Sequence, residues 1–244
     1  MLEVYFLAFI FFLIATLYSS AGFGGGSSYL ATLSLFPMAF QDMRMIALIC
    51  NVVVVCSSVV LFNKHKFIRW KKVIPLIALS IPLAYLGGKI LLQERSFFIL
   101  LGFSLLLASL VMIFDKNSST RRIPKYGNAA IGGGIGFLSG MVGIGGGIFL
   151  SPILHLSKWG KPKVIAATSA IFILVNSLAG ILGQLMVYEI NLNFSKLTVL
   201  TFAVFLGGQI GVRLTIFKID PLWVRRITAF VILIVSLRLL FKYL

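Results

Sequence analysis

Gly22-Phe23-Gly24-Gly25-Gly26 and Gly143-Ile144-Gly145-Gly146-Gly147 are two copies of one turn, each set between strongly apolar stretches. Leu86-Gly87-Gly88 and Leu206-Gly207-Gly208 recur behind them at nearly the same offset. Asn51, on one apolar segment, answers Asn176 on another with a small shift. Three landmarks in the same order point to an internal duplication. Runs of glycine reach positive φ at no steric cost, so each motif reads as a sharp break in a helix.

Outward from the turns the chain is apolar almost throughout. Of its 244 residues 59% are hydrophobic and 11% charged, with a mean hydropathy of +1.05. Soluble domains carry about twice that share of charge. Apolar runs near the ~20 residues needed to cross hydrocarbon recur from end to end. The fold class expected is an all-α polytopic membrane protein with almost no extramembrane domain. Cys50 and Cys56 are six apart on one apolar helix and face different ways, so they read as buried free thiols rather than a disulfide. The segment before Tyr18 has Glu3 as its only charge and no small-residue cleavage site after it, and reads as a retained first helix.

Five helical pieces are expected in each half. In the first they run about 2–20, 25–38, 44–62, 73–92 and 96–114, with Pro75 in a first turn and Pro82 deeper. A polar linker, 115–125, precedes pieces at about 126–142, 147–156, 164–187, 194–216 and 222–244. The domain reading is thus repeat 1 over 1–114, linker 115–125 and repeat 2 over 126–244.

Charge orients these pieces. The net charge is +16, yet 16 of the 22 Lys and Arg residues fall in four loops, 63–72, 115–126, 158–163 and 213–226. Connections near 39–44, 89–96 and 186–196 are almost neutral. This is the positive-inside pattern rather than a nucleic-acid surface, so no nucleic-acid partner is expected. With the basic loops cytoplasmic, each glycine-broken pair must enter and return to one side, and the remaining three helices of each half cross singly. An odd unit of five inverts the second half against the first. The expectation is two inverted five-helix repeats, both termini extracytoplasmic, in a plasma (cell inner) membrane, the architecture of many secondary transporters.

A helix that begins inside the membrane presents unpaired N–H groups and the positive end of its dipole. Two such ends facing one another suit an anion. The expected site comprises Gly24, Gly25, Gly26, Ser27 and Ser28 at one turn, and Gly145, Gly146, Gly147 and Ile148 at the other, with Asn51 and Asn176 flanking it. Thr168, Ser169, Ser177 and Gln184 are companions of Asn176, and Ser57 and Ser58 weaker companions of Asn51. Gly132, Gly136 and Gly140, spaced by four, read as a packing face between helices, as do Gly207 and Gly211.

All six acidic residues, Glu3, Asp42, Glu94, Asp115, Glu189 and Asp220, fall at helix ends or in loops. No metal-ligand cluster, nucleotide loop or nucleophile–base pair is present in the sequence, so no enzyme, metal or cofactor is expected.

The segment Gly140-Met-Val-Gly-Ile-Gly-Gly-Gly-Ile-Phe-Leu-Ser-Pro152, the paired turns, the two Leu-Gly-Gly steps and the length together resemble the TauE/SafE family of sulfite exporters. The first turn departs from the second, with Ser27-Ser28-Tyr29 and no proline matching Pro152. The resemblance implies export of sulfite, sulfoacetate or another small sulfur-containing anion across a prokaryotic-type plasma membrane. A channel-like anion pore and a non-transporting membrane scaffold are the alternatives. Besides the substrate anion and the lipid bilayer, a homodimer partner is expected.

Overall fold

The computed structural model describes residues 2–90, 92–114, 127–217 and 221–244, all-helical apart from turns and connections. The linker 115–125, with Asp115 and Lys218–Asp220, lies outside the described residues. The helices are α1 (Leu2–Ser20), α2 (Gly26–Leu33), α3 (Phe40–Lys64), α4 (Trp70–Gly88), α5 (Glu94–Phe114), α6 (Gly127–Val142), α7 (Gly147–Leu156), α8 (Pro162–Leu185), α9 (Phe194–Phe217) and α10 (Pro221–Tyr243). Among the described residues five, α1, α3, α4, α8 and α9, are long and apolar enough to cross a membrane. In hydrocarbon a helix satisfies its own backbone groups, which is why apolar sequence of this length settles on it.

Burial ranks the helices. The apolar window of α8 is 78% buried and that of α3 56%, against 33% for α1 and α4. The seam between α3 and α8 is therefore the centre, and the outer helices turn large side chains such as Phe9, Leu79 and Phe202 outward. Around the seam the contacts come in matched pairs. Helix α4 packs along α6 and across α8; α9 packs along α1 and across α3; α5 lies against α10.

Small residues make those contacts possible. A β-carbon on Gly132, Gly136 or Gly140 would strike the backbone of Leu76, Ser80 or Ala84, each four apart on α4. This is close helix packing of the small-xxx-small kind. The Leu-Gly-Gly steps finish the job in both halves. Gly87 abuts Phe137 of α6 and Gly88 abuts Gly180 of α8; Gly207 abuts Phe12 of α1 and Gly208 abuts Val54 of α3.

The connections sort by charge. Lys72 Nζ donates to the carbonyl of Trp159 at 3.1 Å, and Lys163 Nζ stands 5.6 Å from the Phe67 ring centre. The basic loops 63–72 and 158–163 thus share one end of the bundle. At the other end the Asn191 N–H donates to Asp42 Oδ1 at 3.1 Å, and Tyr188 Oη donates to the Ile90 carbonyl at 3.1 Å. The near-neutral connections meet there.

Several boundaries differ from expectation. Helix α2 stops at Leu33 rather than near Met38, unwinding through Leu35 and Phe36 N–H bonds to Thr32 and Leu33 carbonyls. Helix α3 begins at Phe40, which carries Arg44 into the helix. Helix α4 begins at Trp70, so Pro75 lies past its first turn, and it ends at Gly88. Cys50 is buried as expected, but Cys56 is exposed, because it lies on the face of α3 away from the seam.

Candidate functional site

Each break is built by glycine in the left-handed region. Gly22 and Gly25 have φ of 80° and 93°, and Gly143, Gly145 and Gly146 have 76°, 75° and 78°. Helix α1 closes with Phe23 N–H on the Tyr18 carbonyl at 2.8 Å and Gly22 N–H on the Ser19 carbonyl at 3.0 Å, a Schellman end. Helix α6 closes with Gly143 N–H on the Ser139 carbonyl at 2.8 Å. Both turns are buried along their length. Broken backbone within a bundle of apolar helices is tolerated where protein covers it.

Helices α2 and α7 then start at Gly26 and Gly147 with no side-chain cap on either. Their first-turn N–H groups, at Gly26, Ser27 and Ser28 and at Gly147 and Ile148, have no place in an intrahelical ladder. Phe23 of the first turn lies 3.7 Å from the point where a β-carbon on Gly147 would stand. The two turns are neighbours across the α3–α8 seam.

Asn51 joins them. Its amide lies against Gly24 and Gly26 of the first turn, and its Nδ2 is 3.1 Å from the β-carbon position of Gly145 in the second. The residue is fully buried, and neither Oδ1 nor Nδ2 has a hydrogen-bond partner. Ser27 Oγ and Ser177 Oγ are likewise buried without partners, and Ser177 Oγ is 2.8 Å from the Gly145 β-carbon position. Buried polar atoms are normally paired, so a cluster of unpaired ones around two uncapped helix starts sets this region apart from the apolar core around it.

The remaining expected residues sort as follows. Ser28 Oγ shares a 2.6 Å hydrogen bond with Tyr18 Oη, so its hydroxyl braces α2 against α1. Asn176 donates through Nδ2 to the Phe172 carbonyl of its own helix at 2.9 Å, with Oδ1 buried and unpaired. At the second turn the contacts that Asn51 makes at the first fall to Ile173, which packs on Gly145 and Gly147. Gly25 and Gly146, both at positive φ, are walled by Tyr29 and Phe172. Thr168 bonds back to Val164 and Ser57 and Ser58 to Val54 within their helices. Ser169 and Gln184 are buried with unpaired side-chain atoms.

One residue beside the site was not expected there. Arg44 is completely buried against Gly143, whose β-carbon position is 3.3 Å from Arg44 Cβ and Cγ. It opens the span expected over 44–62, where a charge ordinarily reaches the interface. The available signal was its spacing of seven from Asn51, which places both on one face of a helix.

Membrane-length helices packed around two buried, uncapped helix breaks define a polytopic membrane protein with a polar position at its centre. The chain belongs to the sulfite exporter TauE/SafE family, whose profile matches residues 7–239. It is 32% identical over 241 residues to the probable membrane transporter protein y4hK of Sinorhizobium fredii (strain NBRC 101917 / NGR234), covering 96% of this chain and 97% of that one. It is 25% identical over 227 residues to the probable membrane transporter protein YunE of Bacillus subtilis (strain 168), covering 80% and 82%. No solved structure matches it. The chain is a membrane transporter of this family.

Proposed function

We propose that the protein is a secondary transporter that exports a small sulfur-containing anion, sulfite or an organosulfonate such as sulfoacetate, across the plasma membrane. The observation that carries the reading is Asn51, an unpaired buried amide against both glycine turns. The ligand lies between the turns. N–H groups around Gly24–Ser28 and Gly145–Ile148 donate to its oxygens, and Asn51 and Asn176 flank it. Positive helix ends and neutral donors are the groups that face the anion between the turns.

Inverted five-helix repeats supply the alternating access. Three observations support them: the matched helix pairings, the basic loops 63–72 and 158–163 at one end, and the neutral connections at the other. Helix α1 runs beside α9 in the same sense, and α6 beside α4 in the same sense, so the two broken pairs enter from opposite ends. The basic end is cytoplasmic and both termini are extracytoplasmic.

The test is flux in proteoliposomes with sulfite, thiosulfate, sulfoacetate and sulfate. Saturable uptake with counterflow for sulfite or sulfoacetate is expected. Flux that never saturates makes the protein a channel-like pore. No flux for any of the four removes the reading.

A further inference from the structure

We propose that Arg44 is a second binding position for the transported anion, two helical turns along α3 from Asn51 on the side away from the basic loops. The proposal rests on the reading that the turns hold an anion. Arg44 and Asn51 share one face of α3, about 10 Å apart by two helical turns. The second turn runs from one to the other, with Gly143 on the Arg44 stem and Gly145 on the Asn51 amide. The guanidinium and the Asn51 amide thus lie at the two ends of the same turn.

Arg44 has no acidic partner among the described residues, and its charge rests on the last turn of α6 and two aromatic rings. It is 0% exposed. Nη2 donates to the Gly140 carbonyl at 3.0 Å and Nη1 to Tyr188 Oη at 3.4 Å. Nε is buried with no acceptor. The Phe97 and Tyr188 rings flank it, with centres 5.5 and 5.7 Å from Cζ. No acidic side chain pairs with it among the described residues, and neighbouring Asp42 accepts instead from the Asn191 N–H. A buried guanidinium facing one carbonyl, one phenol and two rings has recovered little of its lost hydration. Charges kept inside a membrane at that cost are kept for a ligand or a path.

Packing does not require an arginine here. Gly22, the counterpart of Gly143 in the first turn, rests on Ala166 of α8, whose methyl fills the same role. The unpaired Nε–H leaves the guanidinium one charged donor for an oxygen of a sulfur oxoanion, on a planar group that stays charged at any working pH. Tyr188 closes the position from outside, since its Oη also donates to the Ile90 carbonyl at 3.1 Å.

The experiment measures sulfite binding and thermal unfolding of the full chain in detergent for the parent, Arg44→Met and Arg44→Lys. Arg44→Met is expected to fold with a Tm near the parent's, since it replaces a buried charge without an acidic partner by a shorter, flexible apolar side chain. It is expected to lose affinity for sulfite by about tenfold or more. Arg44→Lys is expected to recover part of that affinity. Parent-like binding by a folded Arg44→Met overturns the proposal while the anion site between the turns stands. Failure of Arg44→Met to fold, or a lowered Tm with binding intact in the folded fraction, makes Arg44 a structural cap on the end of α6 and also overturns it. A parent that binds neither sulfite, thiosulfate nor sulfoacetate sinks the underlying site reading instead.

Discussion

Asn51 and Asn176 separate at the scale of single residues. Asn51 meets Gly24, Gly26 and Gly145 with both amide atoms free, while Asn176 spends its Nδ2 on Phe172. Asn51→Ala should therefore weaken sulfite binding by about 1 kcal/mol or more, roughly fivefold in Kd. Asn176→Ala, which retains the backbone and loses one lone acceptor, should cost less than Asn51→Ala. Calorimetric titration of the two variants checks the order, and equal parent-like binding by both would take the asparagines out of the site. The glycine turns were legible because consecutive glycines have few other uses. Arg44 was not, because a charge near a helix start looks the same in sequence whether it points at water or beneath Tyr188 and Phe97.

Between elements, the decisive feature is the seam of α4 on α6. Gly136 has Ser80 O 2.6 Å from its β-carbon position, whereas nothing lies within 4 Å of that of Gly134. Gly136→Leu should force the helices apart and destabilise the protein by about 1–3 kcal/mol. Gly134→Leu, on the exposed face of the same helix, should leave the melting temperature unchanged or raise it, since leucine is the better helix former. Thermal unfolding in detergent reads both, and equal losses would contradict the packing. Spacing of small residues announced this contact in the sequence. Which helix received it was not announced, because α6 pairs with α4 across the linker rather than with a neighbour in its own half.

At the scale of the molecule, the ten helices among the described residues and their order follow from hydropathy and glycine, since lipid admits few other structures. The ends of the bundle follow from charge, and the bond between Lys72 and Trp159 agrees with that sorting. Labelling of single cysteines checks the membrane orientation, after replacement of exposed Cys56 and buried Cys50. Cysteines at Lys66 and Gly160 should react from the cytoplasmic side and one at Asn191 from the other. Reaction of the Lys66 and Gly160 positions from opposite sides would end the inverted arrangement.

The placement of Gly87 and Gly88 has a consequence for biosynthesis. Their surfaces on α4 fit α6 and α8, which leave the ribosome after α4 does. The first five helices therefore enter the bilayer with a ridge of exposed backbone and nothing yet to receive it, and α9 reaches back to α1 only near the end of translation. A fragment of residues 1–114 should be short-lived in cells. Supplying residues 115–244 as a separate chain should rescue it, because each fragment carries the cleft that the other's fourth helix was made to fill.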